Sequence, residues 1–140
     1  MTATGLELVG AEHLMTRDLA SHPAPPVPEP LRVEHSDRST DRLSLLEVSV
    51  PDSDGALAAA GRAGVTGPWA VFAGVVTAPA HRRRGIGSAV MGALAGRARD
   101  RFAADRGVLV ATPDGHRLYT ALGWQVVADV VTGRASVTSS

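Results

Sequence analysis

The residues Arg82-x-x-Gly85-x-Gly87 carry the first legible chemistry in this chain of 140 residues. They follow an apolar, β-branched run that ends at Ala78-Pro79, and a helical pattern starts directly behind them. His81 and three consecutive arginines, Arg82, Arg83 and Arg84, fill the short turn between. Strand, basic glycine-containing loop and helix N-terminus together aim unpaired backbone N–H groups and the positive end of the helix dipole at one point. Glycines there let an oxyanion approach the backbone with no Cβ in the way. The ligand implied is a phosphate or a pyrophosphate.

Spacing narrows the choice. A P-loop needs a lysine behind its glycines, and this chain has none. The dinucleotide fingerprint GxGxxG fails because Val90 stands at its third glycine. A nucleophile elbow fails too, since Ile86 precedes Ser88 by two residues where glycine is required. A second pattern lies downstream in GVLVATPDGHRLYTALGW, Gly107 to Trp124: an apolar run, a turn, then a short helical stretch containing the only tyrosine, Tyr119.

The two patterns together resemble the GNAT superfamily of N-acetyltransferases. The loop matches that family's (Gln/Arg)-x-x-Gly-x-(Gly/Ala) signature. Leu118, Tyr119, Leu122, Gly123 and Trp124 match its Leu-Tyr-x-x-Leu-Gly-(Phe/Trp) motif. The likeness covers about residues 69–131. It implies that Arg82, Arg83, Arg84, Gly85, Ile86, Gly87 and Ser88 hold the pyrophosphate of acetyl-coenzyme A (acetyl-CoA). It implies further that two central strands splay apart to admit the pantetheine arm, with the backbone of Val75, Val76 and Thr77 bonded to it. An N–H near Val75 then polarises the thioester carbonyl. Tyr119 takes the family's general-acid role and protonates the departing thiolate, while an amine attacks directly in a ternary complex. The bland alternative for Tyr119 is a core aromatic whose hydroxyl is simply hydrogen-bonded.

The elements that position these residues can be read in chain order. Leu8, Ala11, Met15 and Leu19 approximate a helical stripe, although Gly5 and Gly10 weaken its start. SHPAPPVPEP, residues 21–30, holds five prolines and reads as an extended strap. Residues 1–30 are therefore taken as an N-terminal segment and residues 31–140 as the acetyltransferase-like domain. Strands are expected at Leu31–His35 and Leu43–Val50, with a polar turn over Asp37–Asp41 between them and a bulge at Leu45-Leu46. ALAAAGRAGV conflicts with itself, since its alanines favour helix and its glycines oppose one. The resemblance decides for a strand antiparallel to Trp69–Thr77. A helix follows over Gly85–Arg101, buried through Ile86, Val90, Ala93, Leu94 and Ala98, with Gly92 and Gly96 allowing close helix–sheet contact. Gly107–Thr112 reads as a strand buried on both faces, His116–Leu122 as a helix and Trp124–Val131 as the last strand. Trp69, Phe72, Phe102 and Trp124 are read as core. The fold class is α/β (α+β), a mixed, mostly antiparallel sheet with a helix after the phosphate loop and an atypical N-terminal part.

Composition bounds the function. Net charge is zero and pI about 7.0, so no global field recruits nucleic acid or a membrane. Absence of cysteine removes disulfides, a thiolate nucleophile and Cys-based metal sites; absence of lysine removes Schiff-base chemistry. The five histidines show no ligand spacing, so no metal is expected. No secretory leader or membrane span is legible, and a cytoplasmic location is expected. Glu47 is the only acidic candidate for a general base beside the turn formers Asp52 and Asp54, and for all three the solvated or turn-forming reading is favoured. Family members usually carry two helices after their first strand, and the loop between those helices shapes the acceptor pocket; here a proline-rich segment stands instead. The acceptor side is then truncated, degenerate or completed by a second subunit, which leaves a homodimer open. Three readings result: an acetyl-CoA-dependent N-acetyltransferase of an amine, a non-catalytic acyl-CoA-binding module, and a nucleic-acid binder on Arg82–Arg84, which neutral charge and scarce aromatics oppose.

Overall fold

The computed structural model describes residues 6–82 and 84–135. Seven strands form one sheet: β1 (Leu6–Asp18), β2 (Glu34–Ser39), β3 (Ser44–Pro51), β4 (Leu57–Thr66), β5 (Trp69–Thr77), β6 (Arg106–Ala111) and β7 (Gln125–Ala135). Their spatial order is β2-β3-β4-β5-β6-β1-β7, and every neighbouring pair is antiparallel except β5 and β6. Helix α1 (Ile86–Phe102) makes the crossover between those two parallel strands, and α2 (Pro113–Ala121) joins β6 to β7.

The helical stripe expected near the N-terminus is a strand. β1 lies between β6 and β7, hydrogen-bonded on both sides, and that pairing overrides a weak 3.6-residue pattern. Met15 and the following Leu19 are fully buried. The first strand expected at 31–35 falls instead at 34–39, and the polar turn expected over 37–41 is part of it. Asp37 sits in β2 because its carboxylate pairs with Arg97 of α1, sixty residues away. No bulge occurs at Leu45-Leu46; the irregularity of β3 is at Val50–Pro51. The alanine- and glycine-rich segment does form β4, antiparallel to β5.

Register fixes which face each side chain takes. Gly61 of β4 points at Val90 and Leu94 of α1. By alternation and pairing, Ala63, Phe72, Gly107 and Met15 share that face, and so does His13, whose ring lies 4.7 Å from that of His116 in α2. Both helices therefore cover the same face. No element covers the other one among the described residues. This is why Val110 of β6 is 49% exposed rather than buried on both faces, and why Trp69 is 46% exposed rather than core. Trp124 and Phe72 are core, in edge-on contact at 5.2 Å.

Residues 19–33 contain no helix and run as a strap over the outside of α1. Arg99 of α1 donates to the Ala20 carbonyl at 2.7 Å. His22 is buried, donates from Nδ1 to the Pro23 carbonyl at 2.7 Å and accepts the Trp124 indole N–H at 3.1 Å. Burial pushes the His22 pKa down, which keeps the ring neutral and the acceptor nitrogen free.

The two helical glycines differ in purpose. A Cβ on Gly92 would lie 2.6 Å from the Pro23 carbonyl oxygen and from the Ala24 Cα, so this glycine admits the strap, not the sheet. A Cβ on Gly96 meets nothing within 4 Å. Alanine gains about 1 kcal/mol over glycine inside a helix, whereas overpacking costs about 1–3 kcal/mol. Gly96→Ala is expected to raise the melting temperature by about 3–5 °C and Gly92→Ala to lower it, read by thermal denaturation in parallel. A rise in both would mean the strap does not lie against α1.

Candidate functional site

The parallel pair β5–β6 holds only from Trp69–Arg106 to Val71–Val108. Beyond Val71 the strands diverge around a cavity of about 150 Å³ bordered by Ala73, Val75, Val110, Thr112 and Tyr119. The cause is local. Ala60 pairs with Val76 but Arg62 with Ala73, so Gly74 and Val75 together oppose Gly61. An extra residue of this kind bends and twists its strand and leaves a backbone group out of the ladder. Gly61 is required opposite the bulge, since a Cβ there would lie 2.8 Å from Val90 Cγ1 and 3.0 Å from Val75 Cγ2.

A second cavity, about 450 Å³, adjoins the first where Thr77 follows Val75 and Leu118 precedes Tyr119. Its floor is the start of α1. Gly85 caps that helix at φ +76°, a left-handed conformation that favours glycine, and no side chain caps the helix. The first helical hydrogen bond runs from the Ala89 amide to the Gly85 carbonyl at 3.1 Å, which leaves the amides of Ile86, Gly87 and Ser88 without an intrahelical acceptor. Arg82, Arg117 and His81 border the cavity and, among the described residues, no carboxylate does. Arg82 is held alongside by donating from Nε to the Thr77 carbonyl at 3.3 Å. Such a donor set suits a diphosphate: free amides, a helix N-terminus and two guanidinium groups.

The loop is braced from behind. Arg84 donates to His81 Nδ1 at 3.0 Å, so the His81 proton sits on Nε2 and faces Asp52 Oδ2 at 3.4 Å. Asp52 also accepts the amides of Asp54 at 2.8 Å and Ala56 at 3.1 Å. The Asp54 amide, with His81 and the Ala56 amide, holds this carboxyl below the ordinary carboxylate value. Asp52 is thus a turn former that anchors the His81–Arg84 loop to the β3–β4 connection.

Tyr119 forms part of the wall of the splay cavity. Its ring lies over the preceding turn of α2, where a Cβ on Gly115 would come within 2.9 Å of Cε2. Gly115, four residues upstream, is what lets the ring sit there. The hydroxyl makes no hydrogen bond among the described residues, and burial pushes its pKa above the ordinary 10.0. At the end of α2, Gly123 takes φ +91° against the Arg17 guanidinium, which donates to the Leu122 carbonyl at 2.7 Å. The Leu-Gly-Trp motif is therefore a helix stop closed by β1, with Trp124 as the anchor of α2 in the core.

Of the residues singled out in the sequence, Val75 and Tyr119 meet at the splay cavity, and Thr77, Arg82, Gly85, Ile86, Gly87 and Ser88 at the larger one. The Ile86 side chain is buried, leaving only its backbone for a ligand. Val76 points to the uncovered face. Arg84 does not line the cavity and donates to His81, which does; Arg83 lies outside the described residues. Arg117 was not singled out; a cation two residues before the tyrosine was the available signal. Glu47 stands on β3, two strands and so about 10 Å from Ala73 at the cavity lip, and leans toward Arg38 at 4.0 Å. It is too distant to take a proton there directly. Among the described residues no helix is long and apolar enough to cross a membrane, and no cluster of three or more His, Asp or Glu could hold a metal ion.

Comparison with known proteins speaks to the family and the fold. The family model described as "Acetyltransferase (GNAT) family" matches residues 12–124. Curated proteins give no match. Among solved structures, a tandem GNAT protein from the clavulanic acid biosynthesis pathway superposes with a TM-score of 0.74 at 16% identity, over 89% of this chain and 52% of its own. A GCN5-related N-acetyltransferase from Sphaerobacter thermophilus gives 0.70 at 17% identity, over 92% and 52%. Another from Kribbella flavida gives 0.68 at 18%, over 91% and 58%. The present chain spans little more than half the length of these structures, and at such identities the likeness is one of fold.

Proposed function

The chain belongs to the GNAT acetyltransferase family, and we propose on that premise that it is a cytoplasmic enzyme transferring an acetyl group from acetyl-CoA to a primary amine. The observation that carries this reading is the junction of two cavities. A cup at the N-terminus of α1, without a carboxylate among the described residues, adjoins a gap between diverging strands, and the Tyr119 on the gap wall has a hydroxyl with no hydrogen bond among them.

Each group has a defined task. The amides of Ile86, Gly87 and Ser88 receive the diphosphate, and Arg82 and Arg117 balance its charge. The edge of β5 beyond Val71, freed from β6, supplies backbone partners for the amides of the pantetheine arm. The bulge at Gly74–Val75 offers an N–H to the thioester oxygen; a donor aimed where negative charge develops is worth about 3–4 kcal/mol of barrier. The neutral amine attacks the acetyl carbon, the carbon–sulfur bond breaks, the nitrogen loses a proton to solvent and the departing thiolate accepts one from Tyr119. No covalent enzyme intermediate is needed.

Titration calorimetry with acetyl-CoA, followed by a thiol-release assay over an amine panel, tests this reading. Binding and turnover together support it. Binding without thiol release from any amine would favour the non-catalytic acyl-CoA-binding module. Absence of heat at millimolar acetyl-CoA would remove both.

A further inference from the structure

Helices α1 and α2 and the cup occupy one face of the sheet, and among the described residues the other face is uncovered and open to an amine at the splay cavity. On that face the register places a row of side chains running away from the cavity: Ala73 at its lip, then Arg62 on β4, Glu47 on β3 and Ser36 on β2. Arg62 is exposed while its chain neighbours Gly61 and Ala63 are buried, so alternation sets its side chain on the open side. Two shallow depressions, about 400 and 230 Å³, flank it. Its cross-strand neighbour Glu47 leans instead to Arg38, and among the described residues nothing accepts a hydrogen bond from the Arg62 guanidinium or pairs with it. Toward β3 and β2 the surface around it is polar, with Glu47, Ser36 and Glu34, and toward β5 it is apolar, with Val71 and Val76 exposed.

From this placement we infer that Arg62 anchors a carboxylate on the acceptor, and that the acceptor is a small aminocarboxylic acid with its amine at the cavity and its apolar body over Val71 and Val76. This rests on the acetyltransferase reading above. A neighbouring strand stands about 4.8 Å away, so a guanidinium on β4 reaches a carboxylate a few bonds from an amine at the lip of β5. Its planar fork matches a carboxylate bidentately. An amine lacking an anionic group would bring its own positive charge against a guanidinium that has no ion-pair partner among the described residues, which selects against it.

The test pairs alanine, leucine and phenylalanine with their amides and decarboxylated amines in the thiol-release assay, for the native chain, Arg62→Ala and Arg62→Glu. The expected result is a native preference for the carboxylate forms. Arg62→Ala loses about 10- to 100-fold in kcat/KM toward them, mostly through KM, since a hydrogen-bonded charge pair contributes on that scale. Values for the decarboxylated amines stay unchanged, and Arg62→Glu reverses the preference. Arg62 lies outside the cup, so acetyl-CoA affinity and melting temperature stay native and report that both variants are folded. Equal turnover with and without the carboxylate, or an indifferent Arg62→Ala, overturns the anchor while leaving the enzyme standing. A second arm needs no turnover: melting shifts with N-acetylated amino acids against their amides. If acetyl-CoA binds and no amine reacts, the enzyme reading fails, and a shift that does not depend on the carboxylate and on Arg62 then removes the anchor too.

Discussion

Tyr119→Phe is expected to lower kcat by about 100-fold and to leave acetyl-CoA affinity unchanged. General acid–base groups contribute roughly 10²–10⁴ in rate, and the low end applies for a stated reason. Burial raises the phenol above 10.0, further from the pKa of a departing thiol, so the proton is held more firmly than an ideal acid would hold it. The same shift sets the pH dependence. An acid must be protonated to act, and this one stays protonated until the pH passes its raised pKa, so Tyr119 imposes no alkaline fall in kcat below pH 10. Single-turnover rates measured beside calorimetry separate the step from binding. The hydroxyl removed has no partner among the described residues, and the ring contacts with Trp124 and Gly115 survive in phenylalanine, so stability should hold. An unchanged kcat would reduce Tyr119 to packing and move the proton donor elsewhere.

How far the site was legible depended on whether a residue's role is local. Gly85 and Gly123 take positive φ, and Gly115 clears space for a ring four residues on; such roles are set by immediate neighbours, and motifs of a few residues record them. The phosphate loop and the Leu-Gly-Trp turn were therefore readable, as was the small-residue strand β4 once paired with β5. Roles set by distant partners were not. β1 is a strand because β6 and β7 flank it, β2 keeps its polar residues because Arg97 meets Asp37, and Gly92 is small because the strap crosses it. Trp69 and Val110 read as core on hydrophobicity, yet hydrophobicity does not reveal that one face of the sheet is uncovered. The two described arginines of the loop differ for a similar reason: Arg82 follows the Thr77 carbonyl along the cavity, whereas Arg84 donates to His81 at its edge and does not line it.

That uncovered face also changes how the fold produces chemistry. Where two N-terminal helices would wall the acceptor side in related domains, this chain sends residues 19–33 over the opposite face and ties them to α1 and Trp124. In the proposed reading the coenzyme side keeps its geometry, since the bulge, the splay and the helix N-terminus all depend on β4, β5 and α1, and the acceptor meets side chains standing on the strands themselves.

Gly87→Val isolates that binding energy. A Cβ at this position would sit 3.3 Å from Leu118 Cδ2 and from Thr77 Oγ1, at the boundary of the cup. The two further carbons of valine have only the cup to occupy, over the amides of α1's first turn. Displacing a diphosphate from two charge-assisted hydrogen bonds of about 1.5–3 kcal/mol each amounts to at least a hundredfold in affinity. Stability changes little, because the few tenths of a kcal/mol by which valine is a better helix residue than glycine offset the small shift that the Leu118 and Thr77 side chains must make around the new Cβ. Acetyl-CoA binding should therefore weaken about 100-fold or more in a protein that melts near the native temperature, which complements Tyr119→Phe, where binding persists and turnover falls. Arg82→Ala or Arg117→Ala should cost less, and their deficits should shrink as salt is raised, since these side chains act through screened charge and the amides act through contact. Native affinity in a folded Gly87→Val would place the coenzyme's diphosphate away from α1, and the tasks given to the bulge and to Tyr119 would lose their common reference point.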